Sequence, residues 1–170
     1  MTPSIILIGP PGAGKSSVGR ALAKSMHVDF ADTDSLIEKD LGKSVSQIFV
    51  DDGEPFFRTN EERICCAAIE TFSGVLSLGG GSVLSQAVRD ALKGSGAAIV
   101  FLDVSLTVAA PRVGFNRDRP LLLNNPRQQW QTLMEARRPI YESVATIHIE
   151  VADDSITHIV KEILSKVVNT

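Results

Sequence analysis

The sequence predicts an α/β domain built on a parallel sheet, and three observations carry that prediction. Short apolar, β-branched runs recur along the chain, stretches of helical periodicity separate them, and glycine- or proline-rich punctuation falls at the junctions. At 170 residues and 18.3 kDa the chain, residues 1–170, has the size of a single domain. Repeated β-α alternation places ligands beyond the carboxyl ends of the strands.

The elements follow in order. Residues 4–8 are continuous, apolar and β-branched, as a strand covered on both faces requires. Residues 9–14 form a Gly/Pro-rich loop, and 15–26 read as a helix with Val18, Leu22 and Met26 on one face. A second strand is expected at 28–31. Two short helices follow at 35–41 and 46–52, separated by Gly42 and stopped near Gly53 and Pro55. Residues 59–72 keep helical spacing through Ile64, Ala67, Ala68 and Phe72, and 75–78 form a strand that runs into Gly79-Gly80-Gly81. A helix at 86–92 closes at Lys93-Gly94, a strand occupies 97–103, and 105–113 are helical. Residues 114–125 are rich in Arg, Asn and Pro and poor in apolar periodicity, which predicts a mobile loop. A helix at 128–138, a strand at 145–151 and an amphipathic helix at 156–168 complete the chain.

Composition narrows the function classes. Hydrophobic residues are 44% and charged residues 22%, a globular and ordered composition. The longest apolar runs, 5–8 and 97–102, are strand-sized, so neither a transmembrane helix nor a membrane partner is expected. The first residues carry no basic stretch of the secretory kind. Cys65 and Cys66 are adjacent and cannot staple distant segments; such thiols point to a reducing, cytoplasmic compartment. A net charge of −3 argues against a nucleic-acid partner. That mean hides an asymmetry. Between Arg112 and Arg138 six arginines face two acids, a net +4 that leaves −7 for the rest. Such a gathering suits a small polyanion, or simply a solvated basic face.

Gly9-Pro10-Pro11-Gly12-Ala13-Gly14-Lys15-Ser16 matches G-x-x-x-x-G-K-[ST] directly after a strand and before a helix. In that context backbone N–H groups and a helix N-terminus wrap a phosphate, with Gly12, Ala13, Gly14, Lys15, Ser16 and Ser17 as its binding residues. Lys15 supplies charge to the β- and γ-phosphates, and the Ser16 hydroxyl suits Mg²⁺. The loop therefore predicts a nucleoside triphosphate with magnesium. No lysine follows an asparagine, so the Asn-Lys-x-Asp of guanine-specific GTPases is missing. The strand at 75–78 ends without a carboxylate, and the chain is short for a motor. A small-molecule kinase remains.

Four more features stand in a set order. They are Asp32-Thr33-Asp34; Phe57-Arg58-x-x-Glu61; Gly79-Gly80-Gly81; and Arg119-Pro120-Leu121-Leu122 with Arg137-x-Pro139-x-Tyr141. Together with the phosphate loop they resemble the shikimate kinases over nearly the whole chain. The resemblance implies a P-loop, nucleoside-monophosphate-kinase-like three-layer fold with a five-stranded parallel sheet. It also implies a helical substrate-binding insertion around 33–61 and a mobile lid around 112–125. The implied activity is transfer of the γ-phosphoryl of ATP to the 3-hydroxyl of shikimate, in aromatic amino-acid biosynthesis.

Chemistry agrees with that reading. Arg58 and Arg137 suit a substrate carboxylate, and Asp34 suits the hydroxyls and the departing proton. Gly79, Gly80 and Gly81 offer backbone where a substrate can approach without a Cβ in the way. Asp32 is read, with Ser16, as a ligand of one Mg²⁺ per subunit, arriving with ATP. Asp32 and Asp34 also suit helix N-caps, and Ser77 is either a support for the metal or an ordinary strand serine. The resemblance assigns Arg119 to the ATP phosphates, as a catalytic residue beside Lys15 and Asp34, and Arg112 to the adenine flank. Arg117, Arg127 and Arg138 are by default surface charges. His27, His148, His158, Trp130 and the two cysteines are read as structural. Residues 152–155, Ala-Asp-Asp-Ser, are acidic where several members carry an arginine at the adenine side, which leaves adenine to backbone contacts. A gluconate or nucleoside monophosphate kinase would need neither the triple glycine nor the Arg58 and Arg137 pair. A binding module without turnover would need no Asp34. A monomer is the default assembly.

Overall fold

The computed structural model describes residues 3–113 and 125–169. Five strands make one wholly parallel sheet: β1 (Ile5–Ile8), β2 (Phe30–Asp32), β3 (Val75–Ser77), β4 (Ala98–Val104) and β5 (Ile147–Val151). Their order in space is β2-β3-β1-β4-β5. Among the described residues eight helices accompany them: α1 (Lys15–Met26), α2 (Thr33–Leu41), α3 (Val45–Asp51), α4 (Glu54–Thr71), α5 (Gln86–Gly94), α6 (Leu106–Val113), α7 (Pro126–Val144) and α8 (Ile156–Val168). A 3-10 turn at Ser82–Leu84 follows β3. Helix α1 packs with α8, while α4, α5 and α7 pack together, which gives three layers. The expected fold class is the observed one.

β1 is the central strand and all four of its residues are buried, as its unbroken apolar run requires. The chain leaves β1 toward β3 and β2, then returns to β4 on the other side. The carboxyl end of β1 is thus the point where the strand order reverses, and a crevice opens there. A second, smaller cluster of Ile37, Ile48, Phe57 and Ile64 ties α2, α3 and α4 together, with the Phe49 and Phe57 rings 4.8 Å apart. It gives the region 33–61 a core of its own.

Most boundaries shift by one or two residues from expectation, and three of the differences bear on the site or its supports. β2 begins two residues later than expected and runs on to Asp32, so the acid stands on the strand end itself. Helix α4 begins at Glu54, not at 59, because Pro55 lies in its first turn, where a missing N–H costs nothing. Pro55 therefore starts a helix where it was expected to help stop one. Helix α7 extends over 126–144, beyond the expected 128–138, and carries Pro139 inside it. Burial of Tyr141 and Val144 holds those last turns against the local cost of the proline. Most of the expected lid, with Arg117, Arg119 and the Arg-Pro-Leu-Leu motif, lies outside the described residues. Among the described residues no helix is long and apolar enough to cross a membrane.

Candidate active site

The loop from β1 to α1 is shaped by contacts only glycine tolerates. Gly12 has φ 83°, and a Cβ on it would lie 2.6 Å from Val113 Cγ2; Gly14 has φ 86° and is the N-cap of α1. The Lys15 ammonium donates to the carbonyls of Gly9 at 2.8 Å and Pro10 at 3.0 Å, so it lies folded across the loop. Ser16 Oγ donates to Asp32 Oδ2 at 2.5 Å. Asp32 Oδ1 accepts the Asp34 N–H at 2.9 Å, which makes Asp32 the N-cap of α2. The cap role and the place beside Ser16 coexist in one carboxylate. Asp34, by contrast, is no cap and lies in the first turn.

A hydroxyl and a carboxylate meeting at the mouth of a phosphate loop are small, hard oxygen donors. They fit Mg²⁺, which takes one or two protein oxygens and keeps several waters. No group of three or more His, Cys, Asp or Glu that could cage an ion exists among the described residues. Ser77 stands in register with Asp32 on the adjacent strand, and its buried hydroxyl has no hydrogen-bond partner there. It makes no hydrogen bond to Ser16 or Asp32.

The triple glycine lies on the other side of the crevice. None of its members has a positive φ, so the glycines serve close approach and not an unusual turn. A Cβ on Gly79 would lie 2.7 Å from Asp34 Oδ1 and 3.0 Å from Glu61 Oε2. One on Gly80 would lie 3.2 Å from Pro11 Cδ, and one on Gly81 would lie 2.7 Å from Arg58 Cζ. The segment thus threads between Asp34, the phosphate loop and Arg58. The Gly79 N–H donates to Thr33 Oγ1 at 3.0 Å, and Tyr141 donates its hydroxyl to the Gly80 carbonyl at 2.6 Å.

Arg58 donates from Nη1 to Glu61 Oε1 at 2.7 Å and from Nε to Glu54 Oε1 at 3.3 Å. Arg137 is 5% exposed on α7, and its charge acts on Glu61 and on the Tyr141 hydroxyl. The two arginines, far apart in sequence, therefore share a carboxylate neighbour. Burial pushes the Glu61 carboxyl up; Arg58 offsets this in part, and Asp34 adds to it. At Arg58, Glu61 and Glu54 outweigh the opposing effect of burial and raise the guanidinium.

A cavity of about 600 Å³ joins residues 12–18 of the loop and α1 with Asp32, Asp34, Gly79, Gly80, Arg112 and Asp154. Arg58, Arg137 and Gly81 are not on its lining. Arg112 Nη1 donates to the Gly12 carbonyl at 3.1 Å, which puts its charge beside the phosphate loop. Ile156 and Ile159 give the Asp154 end of the cavity an apolar wall.

Several residues were misread or missed. Arg138 is not a free surface charge: its fork closes on Asp103 at 2.6 and 2.8 Å, and His148 joins the same carboxylate at 2.9 Å. Arg127 is exposed, as expected. Trp130 packs in the core and also donates Nε1–H to the Pro11 carbonyl at 2.8 Å. Glu61 and Thr33 had a signal in the sequence, since each sits inside a noted motif. Burial pushes both cysteine thiols up, which suits packing and not reactivity.

A parallel sheet that delivers such a loop to a helix N-terminus, facing carboxylates across a glycine-lined cavity, defines a P-loop kinase of small molecules. The family model for shikimate kinase matches residues 11–168. The shikimate kinase of Rhodococcus jostii is 43% identical over 167 residues, 98% of either chain. That of Salinispora tropica is 49% identical over 146 residues, 86% of either. The structure of the Acinetobacter baumannii shikimate kinase in complex with shikimate superposes with a TM-score of 0.95 at 32% identity, covering 99% of this chain and 94% of that one. The chain belongs to the shikimate kinase family, ATP-dependent phosphotransferases with an alcohol acceptor.

Proposed function

We propose that the chain moves the γ-phosphoryl group of ATP to the 3-hydroxyl of shikimate, giving shikimate 3-phosphate and ADP in aromatic amino-acid biosynthesis. The observation that carries this reading is the seam between Asp34 and Gly79, where an acceptor carboxylate shares one cavity with Lys15 and Ser16. Gly12 to Ser17 cradle the phosphates, and Lys15 neutralises charge on the transferring group. Asp34 Oδ orients the 3-hydroxyl and takes its proton as the new O–P bond forms and the bond to the ADP oxygen breaks. Arg58 and Arg137 hold the carboxylate at the far end of the ring, turning from Glu61 to do so, and the Gly79–Gly81 backbone faces the ring oxygens. Arg112 flanks the nucleotide; Arg119 serves the phosphates as a catalytic residue.

Ser16 and Asp32 are the pair that would hold one Mg²⁺ per subunit; when bound with ATP the ion supplies charge neutralisation at the phosphates. Residues 33–61 act as the acceptor-binding insertion and 112–125 as the lid of a single domain. A monomer in the cytoplasm suffices, because one chain supplies every residue named.

A coupled assay with shikimate, its methyl ester, gluconate and AMP as parallel acceptors tests the reading. Shikimate should be the good substrate, and the ester a poor one. Arg58→Ala should cost the acid about 10- to 150-fold in kcat/KM, on about 1.5–3 kcal/mol per charge-assisted bond, and cost the ester far less. Equal losses would show that Arg58 does not read a carboxylate.

A further inference from the structure

Helix α7 does more than carry Arg137. Its buried stripe is Trp130, Met134, Arg137, Tyr141 and Val144, and the first four follow the i, i+4, i+7, i+11 spacing of one helix face. Two members of that stripe are aromatic side chains with a polar tip, and both tips end on backbone carbonyls of the active-site loops. Trp130, 3% exposed, donates to the Pro11 carbonyl in the phosphate loop. Tyr141, 0% exposed, donates to the Gly80 carbonyl in the triple glycine. Eleven residues at 1.5 Å each separate the two anchors by about 16 Å along the helix.

The anchored loops also touch each other. A Cβ on Gly80 would stand 3.2 Å from Pro11 Cδ, tighter than ordinary contact, and 3.5 Å from Pro11 N, within it. Among the described residues no backbone N–H donates to either carbonyl, and the two aromatic donors satisfy them. Phe101 stacks on the Tyr141 ring at 5.1 Å, which fixes where the hydroxyl points. The helix between them is one continuous element, Pro139 included, so the two hydrogen bonds tie the nucleotide loop and the acceptor loop to the same support.

We infer that Trp130 and Tyr141 are positioning residues for phosphoryl transfer: α7 sets the phosphate loop through the Pro11 carbonyl and the acceptor loop through the Gly80 carbonyl. This rests on the reading of residues 79–81 as the acceptor side; the Trp130 arm rests on the phosphate loop alone. Each aromatic should govern one ligand. Losing the Trp130 donor leaves Pro11 free to rotate its peptide, and so disturbs the N–H groups that face the phosphates. Losing the Tyr141 donor does the same to the Gly80–Gly81 peptide on the acceptor side.

The test replaces Trp130 with benzothienylalanine, which keeps the shape and removes only the N–H, and Tyr141 with Phe. ADP and shikimate dissociation constants are measured separately by calorimetry, with kcat from the coupled assay and Tm alongside. The Trp130 variant should weaken ADP about 5- to 30-fold with shikimate within twofold, on the usual cost of orphaning a buried acceptor. Tyr141→Phe should show the reverse pattern, and kcat should fall in both. Should the isosteric variant fold poorly, Trp130→Phe gives the same ratio of the two constants at a temperature where both proteins are folded. A lowered Tm with both affinities and kcat unchanged would overturn the proposal, leaving the aromatics as packing only. Equal weakening of both ligands in each variant would overturn it too.

Discussion

Gly79→Ala compresses the geometry of the acceptor side into one methyl group. The position has no left-handed backbone, so alanine meets no conformational penalty there. Its methyl would stand 2.7 Å from Asp34 Oδ1 and 3.0 Å from Glu61 Oε2, where ordinary contact begins at 3.4 Å. The Asp34 carboxylate must therefore yield by about 0.7 Å, the shortfall from 3.4 Å. Crowding a packed site costs about 1–3 kcal/mol, and a 1 Å misplacement of a reacting group costs about 100-fold in rate. We expect kcat to fall roughly 10- to 100-fold while ADP affinity stays within twofold, since the atoms nearest the new methyl belong to Asp34 and Glu61. Gly94→Ala is the matched control: it ends α5, has nothing within 4 Å, and should gain about 0.5 kcal/mol with kcat unchanged. Both are read in a coupled assay for ADP release beside thermal melts. A Gly79→Ala enzyme that kept more than half of wild-type kcat would refute the placing of Asp34 as the group that serves the acceptor hydroxyl.

Three further outcomes are expected. Lys15→Ala should lose about 10²–10³ in kcat with its melting temperature little changed, and retention of a tenth of the rate would count against the phosphate-loop role. Asp34→Asn should lose far more kcat than shikimate affinity, because an amide still hydrogen-bonds but takes no proton; a change confined to KM would reduce Asp34 to a positioning group. At Asp103, partial burial pushes the carboxyl up, but hydrogen bonds from Arg138 and His148 outweigh it and hold the group below its usual range. A depressed carboxylate stabilises above its unfolded value, and the contribution is lost as pH falls through the folded one. Asp103→Asn should therefore cost about 1 kcal/mol near pH 6, discounted for a half-exposed Arg138, and progressively less as pH falls through the folded value; melts over a falling pH series showing a constant gap would disprove the linkage.

Much of the architecture and of the nucleotide side was legible in the residues. The β1 run, the spacing of Gly9 to Ser16 and the helix that follows are local facts, and local sterics and hydrogen bonding decide them. The motifs at 32–34, 58–61 and 79–81 likewise announced themselves, although not what each touches.

What the chain could not announce is anything that depends on where α7 goes. Two of its residues, Trp130 and Tyr141, looked like packing and a motif end, yet each closes a hydrogen bond on a loop 119 or 61 residues away. The same helix carries Arg137 into the core beside Glu61 and lets Arg138, its neighbour, face the other way onto Asp103. Adjacent residues on a helix point about 100° apart, so two arginines in a row belong to different environments. Which environments these are depends on what the sheet order brings against each face. Periodicity along the chain sets each helix and its faces; packing against distant strands sets what those faces meet, because buried polar groups must find their partners across the fold and not along the sequence.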